Sequence, residues 1–329
     1  MLYSFLYTFE RSTKVFRGAN LNVTDGDVFV VQYSLLLLRY NELALKAKKT
    51  RHYFEQILIK NISYALGEKQ IEHRIQKEFG RIYVHTSKIK EAIPVLQHIF
   101  GITSVSPSLS TQSTLSAISK AAEAIVQNII TSQTSFAIRA TRTGNHAFSS
   151  QDIAIQIGEK IRKKTQATVD LTNPDVTLGI DTRQETTYLF LETYKGVGGL
   201  PLGTQGSIGA WITSSQALVA TWFLMKRGCT PVLFVHPDID KEKIERFLLT
   251  WYTQASIHTL HDSHLESFSS ILNKEDCQAL IVDTVDVSNN SLTHLQQLKT
   301  HLHLPILTPL LGCSSEDLKI YHEHSEVPR

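Results

Sequence analysis

The stretch GVGGLPLGTQGSIGAWITSSQALVATWFLMKRG, residues 196–228, constrains this chain more than any other. It reads as a glycine-rich approach, a buried strand (Ser207–Ile212), a polar turn and an apolar helix (Ser215–Arg227). A strand that turns directly into a helix opens a parallel α/β unit, because parallel strands need a crossover between them. The residues beyond it keep that rhythm. Strands are predicted at Pro231–His236, Ser256–Leu260, Ala279–Asp283 and Pro305–Leu307, and helices at Lys241–Tyr252, Ser263–Leu272 and Leu292–His301. A parallel sheet covered by helices on both faces follows. In such a sheet the first strand-to-helix turn is where phosphate is cradled. Here that turn is Thr213-Ser214-Ser215-Gln216-Ala217, with neither glycine nor acid.

Upstream the pattern changes. Tyr33–Leu38 is a buried-strand run. A lysine-rich connection (Arg39–Lys49) leads to a helix that Thr50 is placed to cap. Its apolar face is Phe54, Ile57, Leu58, Ile62 and Ala65, and Gly67 is placed to end it. Strands near Gln70–Gln76 and Arg81–His85, a helix Lys88–Ile99 and a strand Ile102–Ser106 complete a βαββαβ order, the ferredoxin-like arrangement. A second unit begins at Ser113-Thr114 with a helix whose face is Leu115, Ile118, Ala122, Ile125 and Ile129. A strand, Ser135–Thr141, follows. Ser149-x-x-Asp152 reads as a capping box for a helix burying Ile153, Ile157 and Ile161. Strands at Ala167–Leu171, Val176–Asp181 and Thr187–Thr193 close this unit. Residues 1–31 are aromatic-rich, with a turn signal at Asp25-Gly26-Asp27, and read as an N-terminal extension.

Bulk properties exclude several classes. Three cysteines (Cys229, Cys277, Cys313) in 329 residues and no CxxC pair argue against a disulfide framework or a common structural zinc site. No apolar run reaches the roughly 18 residues of a membrane span, and the N-terminus lacks signal-peptide features. A cytoplasmic protein without membrane contact is expected. The net charge of +2 is unevenly spread: residues 201–329 carry 9 Lys+Arg and 14 Asp+Glu, and residues 1–200 carry 24 and 17. An excess of +7 against −5 suggests one half that meets a polyanion.

Two clusters concentrate the positive charge. Arg39, Lys46, Lys48, Lys49 and Arg51 precede a helix start, where free backbone N–H groups favour phosphate. Arg139, Arg142, His146, Lys160, Arg162, Lys163 and Lys164 span a strand end, a loop and a helix face. Each cluster serves equally as a solvated face. Together, in one half, they read as a salt-sensitive nucleic-acid surface.

These residues carry a family likeness. RYNELALKAKKTRHYFEQILIKNI (Arg39–Ile62), FAIRATRTGNHAFSSQDIAIQIGEKI (Phe136–Ile161), GVGGLPLGTQG (Gly196–Gly206), FLMKRG (Phe223–Gly228) and LPILTPLLG (Leu304–Gly312) occur in the order found in tRNA 4-thiouridine synthetases, the tRNA sulfurtransferases, which the chain resembles over about residues 32–329. The resemblance implies an α/β fold with an N-terminal extension (1–31), a ferredoxin-like domain (32–108), a THUMP RNA-binding domain (109–196) and a Rossmann-like PP-loop-type domain (197–329). It implies tRNA as partner, often with a homodimer. The reaction it implies is uridine adenylation with ATP and magnesium, followed by sulfur delivery from a cysteine persulfide. Some members also feed sulfur to thiamine biosynthesis.

The chain departs from that pattern where the chemistry sits. The family's SGGxDS loop is replaced by ITSSQAL (Ile212–Leu218). Thr213, Ser214 and Ser215 are expected as helix caps in a degenerate nucleotide loop. The family's second ATP segment is replaced by DTVDVSNNSL (Asp283–Leu292), where Asp283 and Asp286 either pair on a metal or organise a loop. Asn41 and Ala47 replace usual glycines. The family's sulfur-carrying cysteine falls beyond Arg329, and the three cysteines present read as buried residues. His258, His261 and His264 near Asp262, His301 with His303, and His322 with His324 read as solvated or half-buried rather than as ligands. No catalytic residue, metal ligand or confident cofactor is assigned.

Three functions are consistent with this sequence. The first is a tRNA-binding family member that has lost adenylation and sulfur transfer, working beside an active sulfurtransferase or a sulfur-donor protein. The second is an active sulfurtransferase with a divergent ATP loop and a partner's cysteine. The third is a structural or regulatory dimerisation module.

Overall fold

The computed structural model describes residues 33–40, 42–260 and 265–326. The N-terminal extension with its turn signal, Asn41, and His261, Asp262 and His264 lie outside these residues. The described chain forms two compact units. One comprises residues up to Arg39, Ile71–Gln97 and Ser104–Lys195; the other comprises Tyr40–Gln70, His98–Thr103 and residues from Gly196 onward.

The first unit is built on a nine-stranded sheet. Its strands are β1 (Leu35–Arg39), β2 (Arg74–Glu78), β3 (Arg81–His85), β4 (Ser104–Gln112), β5 (Ser135–Arg142), β6 (Thr168–Val169), β7 (Val176–Thr182), β8 (Thr186–Phe190) and β9 (Tyr194–Lys195). They run in the order β2-β3-β1-β4-β8-β7-β5-β6, and β9 also pairs with β4. The nine-residue β4 belongs to both halves. Its first residues pair antiparallel with β1, Leu36 opposite Pro107, and its last four pair with β8, Leu109 opposite Leu189. Tyr83 of β3 stacks on Tyr188 of β8, centroids 4.4 Å apart. The expected strand at Ala167–Leu171 shrinks to the two residues of β6, and β2 starts four residues later than expected.

Within this unit α2 (Ile89–Gln97) tolerates Pro94 while burying Ala92, Ile93, Val95 and Leu96. The helices α3 (Leu115–Val126) and α4 (Ser150–Thr165) share a core of Ile118, Ile125, Ile153, Ile157 and Ile161 with Phe136 and Leu178. The spacing of three and four along each helix lines these side chains on one face. The Ser149–Asp152 capping box forms as expected.

The second unit carries a five-stranded sheet: β10 (Ser207–Ile212), β11 (Thr230–Val235), β12 (Ser256–Thr259), β13 (Cys277–Ile281) and β14 (Ile306–Leu307), ordered β12-β11-β10-β13-β14. All four pairings are parallel. Alternation buries both faces: Ile208, Ala210 and Ile212 enter one core, and Val232 and Phe234 enter the other. The helices are α5 (Ser215–Lys226), α6 (Lys241–Thr250), α7 (Leu265–Lys274), α8 (Asn289–Leu302) and α9 (Ser315–Ser325). The last was not expected; Leu318 and Tyr321 pack it against the α5 side.

The first α-helix among the described residues, α1, called αN below (Lys48–Glu68), belongs to this second unit although β1 and β2, which flank it in sequence, do not. Asn61 Nδ2 donates to the Leu202 carbonyl at 3.0 Å. The Gly101 N–H donates to Gly198 O at 2.8 Å, and the Gly198 N–H donates to Ile102 O at 2.8 Å. Gly199 has φ +78°, and a Cβ there would collide with the Lys226 carbonyl, so this turn demands glycine. The start expected at Thr50 is corrected. The helix begins at Lys48 after Ala47, and Thr50 lies inside its first turn. Gly67 does not end it; the helix runs through Glu68 to a C-cap at Lys69. Among the described residues, no helix is long and apolar enough to cross a membrane.

Candidate nucleic-acid interface

The start of αN is cationic and open. Lys46, Lys48 and Lys49 are exposed, Ala47 offers no side-chain cap, and no acid stands in the first turn. Lysines here oppose the helix dipole, so the arrangement costs the helix and favours an incoming anion. Lys46 Nζ lies 6.0 Å from the Phe54 ring centroid. Arg51 is half-buried, 3.9 Å from Glu55. Glu55 is 7% exposed and accepts the Tyr40 hydroxyl at 2.5 Å.

Arg39 is in different company. It belongs to the first unit, whereas the other members of its sequence cluster belong to the second. Its Nη1 donates to Ser106 Oγ at 2.9 Å and to Ser104 Oγ at 3.3 Å, and its guanidinium lies 4.5 Å from the Phe190 ring centroid. Burial, then the like charge of Arg81, lowers it to about 10. Arg81 and Arg183 both reach Asp181, at 2.8 and 2.9 Å. Arg39 is therefore half-buried against side chains of its own sheet.

The second sequence cluster divides in the same way. Lys160 pairs with Glu123 of α3 at 2.6 Å and Lys164 does so at 3.3 Å; Lys163 pairs with Glu159 at 3.0 Å. The hydrogen bond from Lys160 is the main reason the Glu123 carboxyl is held below its ordinary range. Exposed pairs of this kind are screened and weak, but they dilute the field of the helix face. Arg139, Arg142 and Arg162 remain exposed. Arg139 donates to the Leu171 carbonyl. Arg142 Nη1 donates to Gly144 O at 2.9 Å, and Asn145 N donates to Gln184 Oε1 at 2.9 Å. His146 stacks on Phe148, centroids 5.1 Å apart. The loop between β5 and α4 is thus pinned at both ends. Glu123 and Gln184 organise this surface without any local signal in the sequence.

The turn into α5 is closed from within. Ser214 Oγ accepts from the N–H groups of Gln216 and Ala217 at 3.1 and 3.3 Å and donates to Asp283 Oδ2 at 2.5 Å. The helix start where a phosphate would sit in such a sheet therefore already faces a carboxylate. Thr213 and Ser215 flank Ser214; of the three, Ser214 is the cap. Asp286 accepts from Ser288 N–H and from the hydroxyls of Ser288 and Ser291, and these donors lower its carboxyl. Asp283 and Asp286 thus each organise their own loop contacts.

The remaining candidates are quiet. Burial raises the thiols of Cys229 and Cys313, and raises Cys277 to about 11. His258 Nε2 lies 2.9 Å from Glu275, and His301 Nδ1 lies 2.8 Å from the Gln297 carbonyl. Among the described residues, no group of three or more His, Cys, Asp or Glu is placed to hold a metal.

Comparison with known proteins gives this arrangement its context. Residues 35–106 match the ThiI ferredoxin-like domain, and residues 112–192 match the THUMP domain. The "Probable tRNA sulfurtransferase" of Methanosarcina acetivorans is 38% identical over 213 residues, 62% of this chain and 52% of that protein. The chain thus spans about half the length of that relative. The protein of the same name from Thermococcus kodakarensis is 30% identical over 328 residues, covering 87% of this chain and 86% of its own. Among solved structures, PH1313 from Pyrococcus horikoshii is 25% identical, with TM-score 0.76, over 88% of this chain and 98% of that one. A 4-thiouridine synthetase–RNA complex with bound ATP shares the fold at 20% identity and TM-score 0.68, over 90% of this chain and 87% of that one. With matches to the ThiI ferredoxin-like and THUMP domains, and 30% identity to a tRNA sulfurtransferase over 87% of this chain, the chain belongs to the tRNA sulfurtransferase family.

Proposed function

We propose that this protein binds tRNA through its THUMP domain and the cationic start of αN, and no longer adenylates uridine or transfers sulfur. The RNA in the fold-related synthetase complex supports the first half of this reading. So do the exposed Arg139, Arg142 and Arg162, and the uncapped helix start at Lys48 and Lys49. Binding of this kind is mainly electrostatic and falls steeply with salt.

The observation that carries the second half is the Ser214–Asp283 hydrogen bond. Nucleotide phosphates need free N–H groups at a helix start and suffer from a carboxylate beside them. At α5 two N–H groups are taken by Ser214, and Asp283 supplies negative charge in the same place. The thiols here are raised rather than lowered, the reverse of what a sulfur carrier needs. ATP and magnesium are then not cofactors of this chain. Its work is to hold tRNA, beside an active sulfurtransferase or a sulfur-donor protein or as a homodimer.

Filter binding to bulk tRNA at rising salt, alongside ATP binding and pyrophosphate release, tests both halves. We expect salt-sensitive tRNA binding and silence with ATP. Pyrophosphate release with tRNA present would restore the reading of an active sulfurtransferase, which the names of the relatives favour. Absence of tRNA binding at low salt from a folded sample would sink the reading altogether.

A further inference from the structure

From its first turn onward, αN keeps one stripe clear of acids. Lys49, Tyr53, Gln56 and Lys60 recur at spacings of four, three and four, which places them on one helix face. All four are exposed, and Tyr53 leaves 51% of its surface open. The helix holds two carboxylates, Glu55 and Glu68. Glu55 is buried against Tyr40, and Glu68 lies two turns beyond Lys60. A rise of 1.5 Å per residue sets Lys49 about 6 Å from Tyr53 along the axis and about 16 Å from Lys60.

A solvated helix face does not call for an open aromatic ring between two cations. Single-stranded nucleic acid does: phosphates meet the ammonium groups while a base stacks on the ring. A duplex keeps its base faces inside its own stack and offers only phosphates to the same stripe. We propose that this stripe takes an unpaired stretch of RNA, with Tyr53 as the stacking platform and Lys49 and Lys60 on phosphates to either side. The proposal rests on the RNA-binding reading above and adds the strand form that αN accepts.

Equilibrium binding of the full chain to a mixed-sequence single-stranded RNA 12-mer, a blunt RNA duplex of equal length and bulk tRNA tests it. Tyr53→Ala should weaken the single strand about tenfold and leave the duplex unchanged, whereas Tyr53→Trp should retain tight binding. The double variant Lys49→Gln/Lys60→Gln should reduce the salt slope for the single strand by about 1 to 1.5. Tyr53 is half-open, so these variants are expected to fold; matched circular dichroism and melting curves verify this. If Tyr53→Ala binds the single strand as the native chain does, or loses both forms equally, the stacking proposal is overturned while RNA binding stands. If the native chain binds neither oligonucleotide nor tRNA, both readings fall together.

Discussion

Two helix starts in the second unit make opposite use of the same backbone. At αN the cap residue is Ala47, the first turn holds Lys48 and Lys49, and among the described residues no side chain caps the leading N–H groups. At α5 the cap is Ser214, two N–H groups are answered, and Asp283 stands behind the serine. Any helix start is a potential anion site. What separates these two is whether the chain supplies the anion itself. The fold places a phosphate-type turn at α5 and the side chains fill it. At αN they leave the start open and add cations.

The largest effect that sharpens this contrast is on RNA affinity. The double reversal Lys48→Glu/Lys49→Glu should lower tRNA affinity roughly 100-fold at moderate salt and flatten the salt slope by about 2, since each phosphate contact contributes nearly one unit. The same reversal on Lys160 and Lys164 should cost much less, because Glu123 already offsets them.

Next in size is the closure of α5. Ser214→Ala removes a cap and leaves Asp283 without its donor, and should cost about 1–2 kcal/mol in denaturant melts. A loss near zero would mean that α5 is closed by packing alone.

A smaller effect links the two quantities. Ala47→Asp should stabilise αN by about 1 kcal/mol, since Ala47 has an extended ψ of 149° and aspartate is a good cap. It should also weaken RNA binding. A variant gaining stability without losing affinity would break the comparison.

The smallest effect is at low pH. Donors from Ser149 and Ser314 lower the carboxyls of Asp152 and Asp317 in the folded chain. A lowered folded pKa contributes stability that is fully present above the unfolded value and lost as pH falls through the folded one. NMR titration should find both carboxyls below about 3.9, the unperturbed aspartate value. In the same window the first turn of αN should be unmoved, since it holds no acid.

The sequence was most legible where structure is local. Ser207–Ile212 forms β10 as its apolar run predicts, and Ser149-x-x-Asp152 forms the expected capping box. Ser314-x-x-Asp317 carries the same signal for α9, but the apolar positions behind it, Leu318 and Tyr321, are too few to mark a helix by periodicity. What stayed hidden depends on distant partners. Thr50 has the chemistry of a cap, yet the cap position falls three residues earlier, at Ala47. Arg39 sits beside the lysines in sequence, but its neighbours Ser104, Ser106 and Phe190 come from strands more than 60 residues away. Lys160 and Lys164 meet Glu123 across 41 residues at most, a pairing no helical period encodes.

The composition of the second unit has a consequence in time. Asn61 and Leu202, joined by a hydrogen bond, are 141 residues apart. At a synthesis rate of about 5–20 residues per second, αN leaves the ribosome about 7–30 s before that partner exists. Its apolar residues Phe54, Leu58, Ile62 and Leu66 wait through that interval without the C-terminal part of their unit. Nascent chains stalled at Lys195 should therefore show fast amide exchange along αN, and the released full chain should show protection. Equal protection in both would mean that αN finds its final order without the C-terminal sheet. The helix that carries the proposed RNA stripe is thus among the first to be made, yet it waits for a partner made 141 residues later.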